Sequence, residues 1–210
     1  MTTTESSFSC AWLADLQIDW YFMPDELESK IRVAEHEPVR GRLREANAEY
    51  LGRVLETNRL FDDDKWTLLK GGCGLRVRSC RTLDGPEQPA TLTYKGPLRD
   101  GAFKRKSEIE IEIADAVSMV GILAAMGFSE WIIFEKNRES WRLPPCEVEL
   151  DEVPGLGLFV EVEGPDEAAI RAALARLGLD PRQSTRRSYV AMLAEGANTC
   201  APRPLEFKFG

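Results

Sequence analysis

Seven short segments of the chain alternate ionisable and apolar residues with the period of two that an extended strand imposes. In ELESKIRV, Glu26, Glu28, Lys30 and Arg32 share one face, while Leu27, Ile31 and Val33 occupy the other with Ser29. GLRVRS sets Arg76 and Arg78 against Leu75 and Val77, and TLTYKGP puts Lys95 on the face of Thr91 and Thr93. KSEIEIEI opposes Lys106, Glu108, Glu110 and Glu112 to Ile109, Ile111 and Ile113. EKNRES adds Lys136 and Arg138. EVELD places Glu147, Glu149 and Asp151 against Val148 and Leu150, and FVEVEG places Glu161 and Glu163 against Val160 and Val162. Helical spacing replaces this pattern over 38–47, 115–126, 166–177 and 188–195. Asp115 and Asp166 stand where N-caps belong, and Gly127 and Gly178 where helices stop.

One strand with a charged face is ordinarily the solvated side of an antiparallel sheet. Here the charged faces mix both signs on nearly every strand. The opposite faces carry the branched apolar residues, and three of the helices have an apolar side that needs cover. Helices packed outside, on the apolar faces, turn the charged faces toward one another. The expected fold is therefore α+β: a closed antiparallel β-barrel with helices outside and no free strand edge. Ile109, Ile111, Val148, Leu150, Val160 and Val162 are expected to pack outward under helices. The lumen would be ionic, and a buried ionic lumen needs a ligand to offset its desolvation cost.

The 210 residues suffice for one domain with a real core. Residues 26–195 are read as that domain and 1–25 as an N-terminal extension whose WLADLQIDWYF run can pack on it; 196–210 read as a tail of loop composition. A net charge of −8 argues against a nucleic-acid binder. No apolar run reaches membrane-helix length, and the first residues lack signal-peptide features, so a cytoplasmic protein is expected. The five cysteines (10, 73, 80, 146, 200) are scattered and read as free thiols. His36 is the only histidine and reads as an ordinary surface residue, which removes the usual parts of zinc hydrolysis and Ser-His-Asp catalysis. Any metal should be a hard cation on carboxylates, Mg²⁺ or Mn²⁺.

The motifs ELESK, TNRLFD, LRVR, LTYKGP, EIEIEI, LAAMGF, EKNRESW, VELDEVPGLGLFVEVEG and RSYVAML follow one another over about residues 26–193. In order and spacing they resemble the CYTH family, which groups class IV adenylyl cyclases with thiamine and inorganic triphosphatases. EKNRESW through FVEVEG is most similar to the class IV cyclase branch. The resemblance implies an eight-stranded antiparallel tunnel that binds a triphosphate and a divalent metal. It assigns Glu26, Glu28, Glu161 and Glu163 to the metal, and Lys30, Arg76, Arg78, Lys95 and Arg138 to phosphate oxygens. It makes Asp151 an acid inside the tunnel, with Lys30 and Asp151 as catalytic residues, and Arg187 a late basic residue of the site. Lys106 joins the phosphate grip, with Glu108 and Glu110 beside it, on a strand whose register could shift by one pair. Two departures stand out: 25 residues precede the Glu-x-Glu-x-Lys motif, and Asp62 is followed by two further aspartates that share its claim to one family position.

The chemistry suits these residue types. A triphosphate leaving water needs cations on several sides, and arginine can hold two phosphate oxygens at once. Acids in the same lumen make sense with a metal between them and the phosphates. Attack by water on the terminal phosphorus gives phosphate, whereas in-line attack by the ribose 3′-oxygen on the α-phosphorus gives cyclic AMP and pyrophosphate. The sequence leaves both outcomes open, with a non-catalytic polyphosphate- or nucleotide-binding module as the alternative. The expected partners are ATP, inorganic triphosphate or thiamine triphosphate, with a homodimer as a further option.

Overall fold

The computed structural model describes residues 25–197 and 203–210. The WLADLQIDWYF segment, Cys10 and Cys200 lie outside the described residues. Eight strands close into a ring: β1 (Asp25–Val33), β2 (Glu49–Asp62), β3 (Gly74–Asp84), β4 (Ala90–Arg99), β5 (Lys104–Ile113), β6 (Ser129–Leu143), β7 (Cys146–Val153) and β8 (Gly157–Glu163). Every neighbouring pair is antiparallel, in the order β6-β2-β3-β4-β5-β1-β8-β7, and β7 returns to β6. Closure gives the sheet an inside. The period-two faces then divide into lumen and outer wall, as the alternation predicts.

Helices cover much of the outside. α1 (Glu37–Glu45) and α4 (Glu167–Leu177) lie on the β1–β8–β7 wall. Val39, Leu43, Ile170 and Leu174 pack there against Leu27, Ile31, Val148, Leu150, Val160 and Val162. Asp166 caps α4 by accepting from Ala169 N, and Gly178 ends it in the left-handed region at φ 67°. α3 (Ala116–Ala125) is capped by Asp115, which accepts from Val117 N and Ser118 N, and seats Leu123 on Phe61 and Val77. α5 (Tyr189–Gly196) crosses one end of the ring, where Tyr189 and Leu193 meet Leu60, Phe134 and Phe159.

Three expectations need correction. Ile109 and Ile111 point outward, but none of the helices among the described residues covers them; they are 42% and 52% exposed. α3 follows β5 through a two-residue link and turns onto β2 and β3 instead, reaching only Ile113 of the three isoleucines. His36 is half-buried, with Nε2 3.0 Å from the Phe159 carbonyl oxygen, so it joins α1 to β8 instead of standing free. Within the expected loop-like tail, β10 (Leu205–Phe207) pairs parallel with β6, and Leu205 and Phe207 pack on the cluster under α5. Pattern reading also missed α2 (Thr67–Lys70), a single turn between β2 and β3, and β9 (Ser184–Thr185), which pairs with β1.

The uneven cover can be tested by two substitutions. Leu174→Ala, at a fully buried position, should lower unfolding free energy by about 2–5 kcal/mol. Ile111→Ser should change it by no more than about 0.5 kcal/mol. Urea denaturation measures both; equal losses would mean that the β5 wall is covered after all.

A charged lumen as the candidate active site

The lumen is built from the inward positions of each strand, and its ions pair across the ring. Lys30, 1% exposed, lies 2.9 Å from Glu28 and 2.8 Å from Glu161. Lys104 also reaches Glu28, at 2.9 Å. Lys95 contacts Glu26 and stands 2.7 Å from Glu108. Arg76 donates to Thr93 at 3.1 Å and Glu110 at 3.3 Å, and its buried Nε has no partner among the described residues. Arg78 meets Asn58 Oδ1 at 3.2 Å and Glu56 at 3.4 Å. Arg138 donates to Asp151 at 2.8 and 2.6 Å and to Glu161 at 2.5 Å. Lys136 bridges Glu56 at 3.3 Å and Asp151 at 3.2 Å.

These pairs set the protonation states. Burial works against the charge on Lys30, but Glu161 and Glu28 outweigh it and hold the ammonium well above its usual range. Burial likewise opposes the charge on Glu56, and Arg78, Lys136 and Arg138 together keep it ionised. Lys136 is lowered by burial and by Arg138 beside it. At Glu163, the last residue of β8, desolvation of the carboxyl and then the like charges of Glu26 and Glu28 push its pKa up to about 7, although the residue as a whole is exposed.

The ring encloses a cavity of about 580 Å³ whose lining is of two kinds. Glu26, Glu28, Lys30, Lys95, Lys104, Arg76, Arg78, Lys136, Arg138 and Glu161 are charged, and Leu60, Trp66, Leu69, Trp131, Phe134 and residues of α5 add apolar and aromatic wall, with the Tyr189 ring 4.3 Å from Lys30. Arg78 also borders a second cavity of about 390 Å³, shared with Thr91, Glu110 and Glu112.

A closed antiparallel ring with this ionic interior is one that family comparison can place. The CYTH domain model matches residues 25–189. The chain belongs to the CYTH family. A relative from Methanocaldococcus jannaschii, named "Putative adenylate cyclase MJ0240", is 30% identical over 138 residues, spanning 66% of this chain and 75% of its own. Among solved structures, the PH1819 protein of Pyrococcus horikoshii OT3 superposes with a TM-score of 0.69 at 29% identity, over 82% of this chain and 99% of its own. HpAC1 from Hippeastrum, described as having a dominant triphosphatase activity, shares the fold with a TM-score of 0.61 at 18% identity, over 83% and 98% of the two chains.

In this CYTH chain, Lys30, Arg76, Arg78, Lys95, Lys106, Arg138, Glu26, Glu28 and Glu161 all line the large cavity. Lys106 lies toward its rim, donating to the Gly72 carbonyl at 2.9 Å, and Lys104, one pair earlier on the same face, is the buried cation of β5. Three residues, Arg187, Asp151 and Glu163, are placed otherwise than expected. Arg187 is exposed and pairs with Glu195 at 2.5 Å; only its carbonyl faces inward, 3.5 Å from Lys30 Nζ. The extended step before the Ser188 N-cap turns Tyr189 inward and Arg187 out. Asp151 is fully buried and lies behind Arg138, not on the cavity wall. It accepts from Arg138, Lys136 and, at 2.9 Å, Tyr189 Oη, so it orients cations and has no free face for a ligand.

Glu163 is exposed and off the cavity wall, across from Glu28 in the β1–β8 register. Among the described residues no three acidic, cysteine or histidine side chains converge on one point where a metal could sit. The donor chemistry is nevertheless that of a hard cation. Burial and the like charge of Glu26 raise Glu108, whereas Lys95 and Lys104 outweigh burial at Glu26 and hold it well below the usual carboxylate range.

Glu56, Asn58, Lys104 and Tyr189 are the lumenal residues that the sequence pattern did not single out. Glu56 is 1% exposed and counters three cations from two other strands. Glu56→Gln should therefore cost the ligand-free protein about 3–5 kcal/mol, since it leaves buried cations undercompensated. Inorganic triphosphate should restore more stability to the variant than it gives the wild type. Chemical denaturation with and without triphosphate checks both; a loss below about 1 kcal/mol would remove Glu56 from the charge balance.

Proposed function

We propose that this protein is a divalent-metal-dependent enzyme that breaks a P–O bond of an organic triphosphate held in the lumen, with cyclisation of ATP to cyclic AMP and pyrophosphate as the favoured reaction. The observation that carries this is the ring of buried and half-buried cations, Lys30, Arg76, Arg78, Lys95, Lys104, Lys136 and Arg138, facing one cavity. Such convergence is costly to maintain for structure alone and matches the charge of a polyphosphate. The apolar part of the same cavity's lining supports a ligand with an organic part, and the similarity to a relative named as a putative adenylate cyclase supports ATP.

In this reading the cations change partners. Phosphate oxygens take the place of Glu161 and Glu56 on Lys30, Arg78 and Arg138, while Asp151 keeps Arg138 aimed at the cavity. Glu26, Glu28 and Glu163 would hold Mg²⁺ or Mn²⁺, which supplies further neutralisation of the phosphate chain. The ribose 3′-oxygen then attacks the α-phosphorus as the bond to the bridging oxygen breaks and pyrophosphate leaves. Lys30 is held too firmly protonated to take the hydroxyl proton and serves as a fixed cation. Lys136, lowered by burial and Arg138, is with the rim residue Lys106 one of two cavity lysines whose proton affinity moves toward that task. Hydrolysis is the second reading, because the cavity beyond Arg78 can bring water to the far end of a phosphate chain.

Incubation of pure protein with ATP, inorganic triphosphate and thiamine triphosphate, each with Mg²⁺ or Mn²⁺, and identification of the products tests the assignment. Cyclic AMP with pyrophosphate supports the favoured reading, and phosphate release supports the second. Binding without metal-dependent turnover would leave a non-catalytic binding module. Lys30→Met keeps the aliphatic stem and should lower turnover at least about a hundredfold with the fold intact by circular dichroism. Unimpaired turnover would take Lys30 out of the mechanism.

A further inference from the structure

The apolar part of the cavity lining carries a feature that phosphate chemistry does not use. Trp66 lies at its mouth with φ 61°, a left-handed conformation that is a genuine outlier for so bulky a residue. The loop that imposes it is built for rigidity. Asp62, 3% exposed, accepts from the backbone N–H groups of Asp63, Leu68 and Leu69 at 2.8–3.0 Å; Asp63 accepts from Lys65 and Thr67. Trp131 braces the indole edge-to-face, with ring centroids 5.8 Å apart at 79°. Two carboxylates and a second tryptophan thus hold one aromatic face at the cavity mouth.

That face is covered from within the chain. The guanidinium of Arg203, just before β10, lies 4.3 Å from the Trp66 ring centroid and 5.8 Å from that of Trp131. Most cations in the lumen have an acidic partner, whereas Arg203 has none among the described residues and rests on the two indoles. It is exposed to solvent and lies beyond the matched family domain, which ends at residue 189. The Tyr189 ring, also in this lining, is already occupied by Lys30 at 4.3 Å.

We propose that the Trp66 face is a subsite for a planar aromatic group on the ligand, and that Arg203 is its intramolecular competitor, so that Arg203 sets selectivity between organic and inorganic triphosphates. This rests on the triphosphate reading of the same cavity. An exposed cation–π contact is weak, and stacking of an aromatic ring on the indole is stronger, so a ligand carrying such a ring displaces the guanidinium. An inorganic triphosphate, with nothing to stack, leaves Arg203 in place.

Isothermal titration of the full-length wild type, Arg203→Ala and Trp66→Leu with inorganic triphosphate and with a non-hydrolysable ATP analogue tests this. Loss of the Arg203 charge weakens both ligands alike, so the ratio of their affinities is the readout. Arg203→Ala should shift that ratio about threefold to tenfold toward the ATP analogue. Trp66→Leu should shift it about tenfold the other way, with inorganic triphosphate affinity unchanged. An unmoved ratio in Arg203→Ala overturns the proposal, and a shift toward inorganic triphosphate overturns it by making Arg203 a ligand contact. If the wild type binds neither ligand, the triphosphate reading itself falls, and this proposal with it.

Discussion

Compensation of buried charge is the constraint on which this structure rests. Closing eight strands into a ring withdraws the lumenal ions wholly or partly from bulk water, and they pair with counter-ions on neighbouring strands or along their own. The registers meet that demand directly. Lys30 stands opposite Glu161, Lys95 opposite Glu108, and Arg138 opposite Asp151. A slip of one residue in any of these strands would turn ions into the apolar clusters beneath α1, α3 and α4 and aliphatic residues into the lumen. Charge pairing inside and apolar packing outside therefore specify the same register, and neither could be changed alone.

The same constraint makes the site exchangeable. A lumenal cation satisfied by a carboxylate is already desolvated and oriented, so a polyanion that replaces the carboxylate does not have to strip the cation of water. The carboxylate so released needs a new partner, and this is the physical argument for a divalent cation in the proposed function. Glu26, Glu28, Glu108 and Glu163 lie close together, and burial and then these like charges raise Glu108 and Glu163. Asp151 differs from these acids. It is fully buried and accepts from Arg138, Lys136 and Tyr189, which suits a fixed counter-ion more than a metal ligand.

Most of the ring was legible because strand periodicity reports which residues share a face. It does not report what covers that face. Ile109 and Ile111 show this: their outward direction followed from alternation, but the turn of α3 onto β2 and β3 is a tertiary choice that leaves them bare. Glu56 was hidden because the inward face of β2 reads Val54, Glu56, Asn58, Leu60, with one ion among neutral neighbours. Its role appears only when Arg78 and Lys136 arrive from the two flanking strands. Lys104 stands at the head of β5, before the alternation becomes regular. Arg187 was misplaced because family position gives a residue's place along the chain, whereas the cap at Ser188 decides which of Arg187 and Tyr189 faces in. β10 is three residues long, too short for a period to declare itself.

What a charged ring cannot decide alone is which phosphorus reacts. Seven cations distributed around a closed wall hold a phosphate chain in more than one register with similar energy, because each phosphoryl group presents nearly the same charge. Register has to come from something that is not a phosphate contact. In this protein the asymmetry lies around the wall: carboxylates gather at the β1–β8 side, while Leu60, Trp66, Trp131 and α5 contribute apolar and aromatic surface elsewhere in the lining. An organic group seated there would fix one end of the phosphate chain and thereby choose the phosphorus that meets the acidic cluster. A ligand without that group would be gripped as firmly but could slide. In the proposed function, the outcome would therefore be decided less by the motif residues of the strands than by the helix and loop that carry this apolar surface.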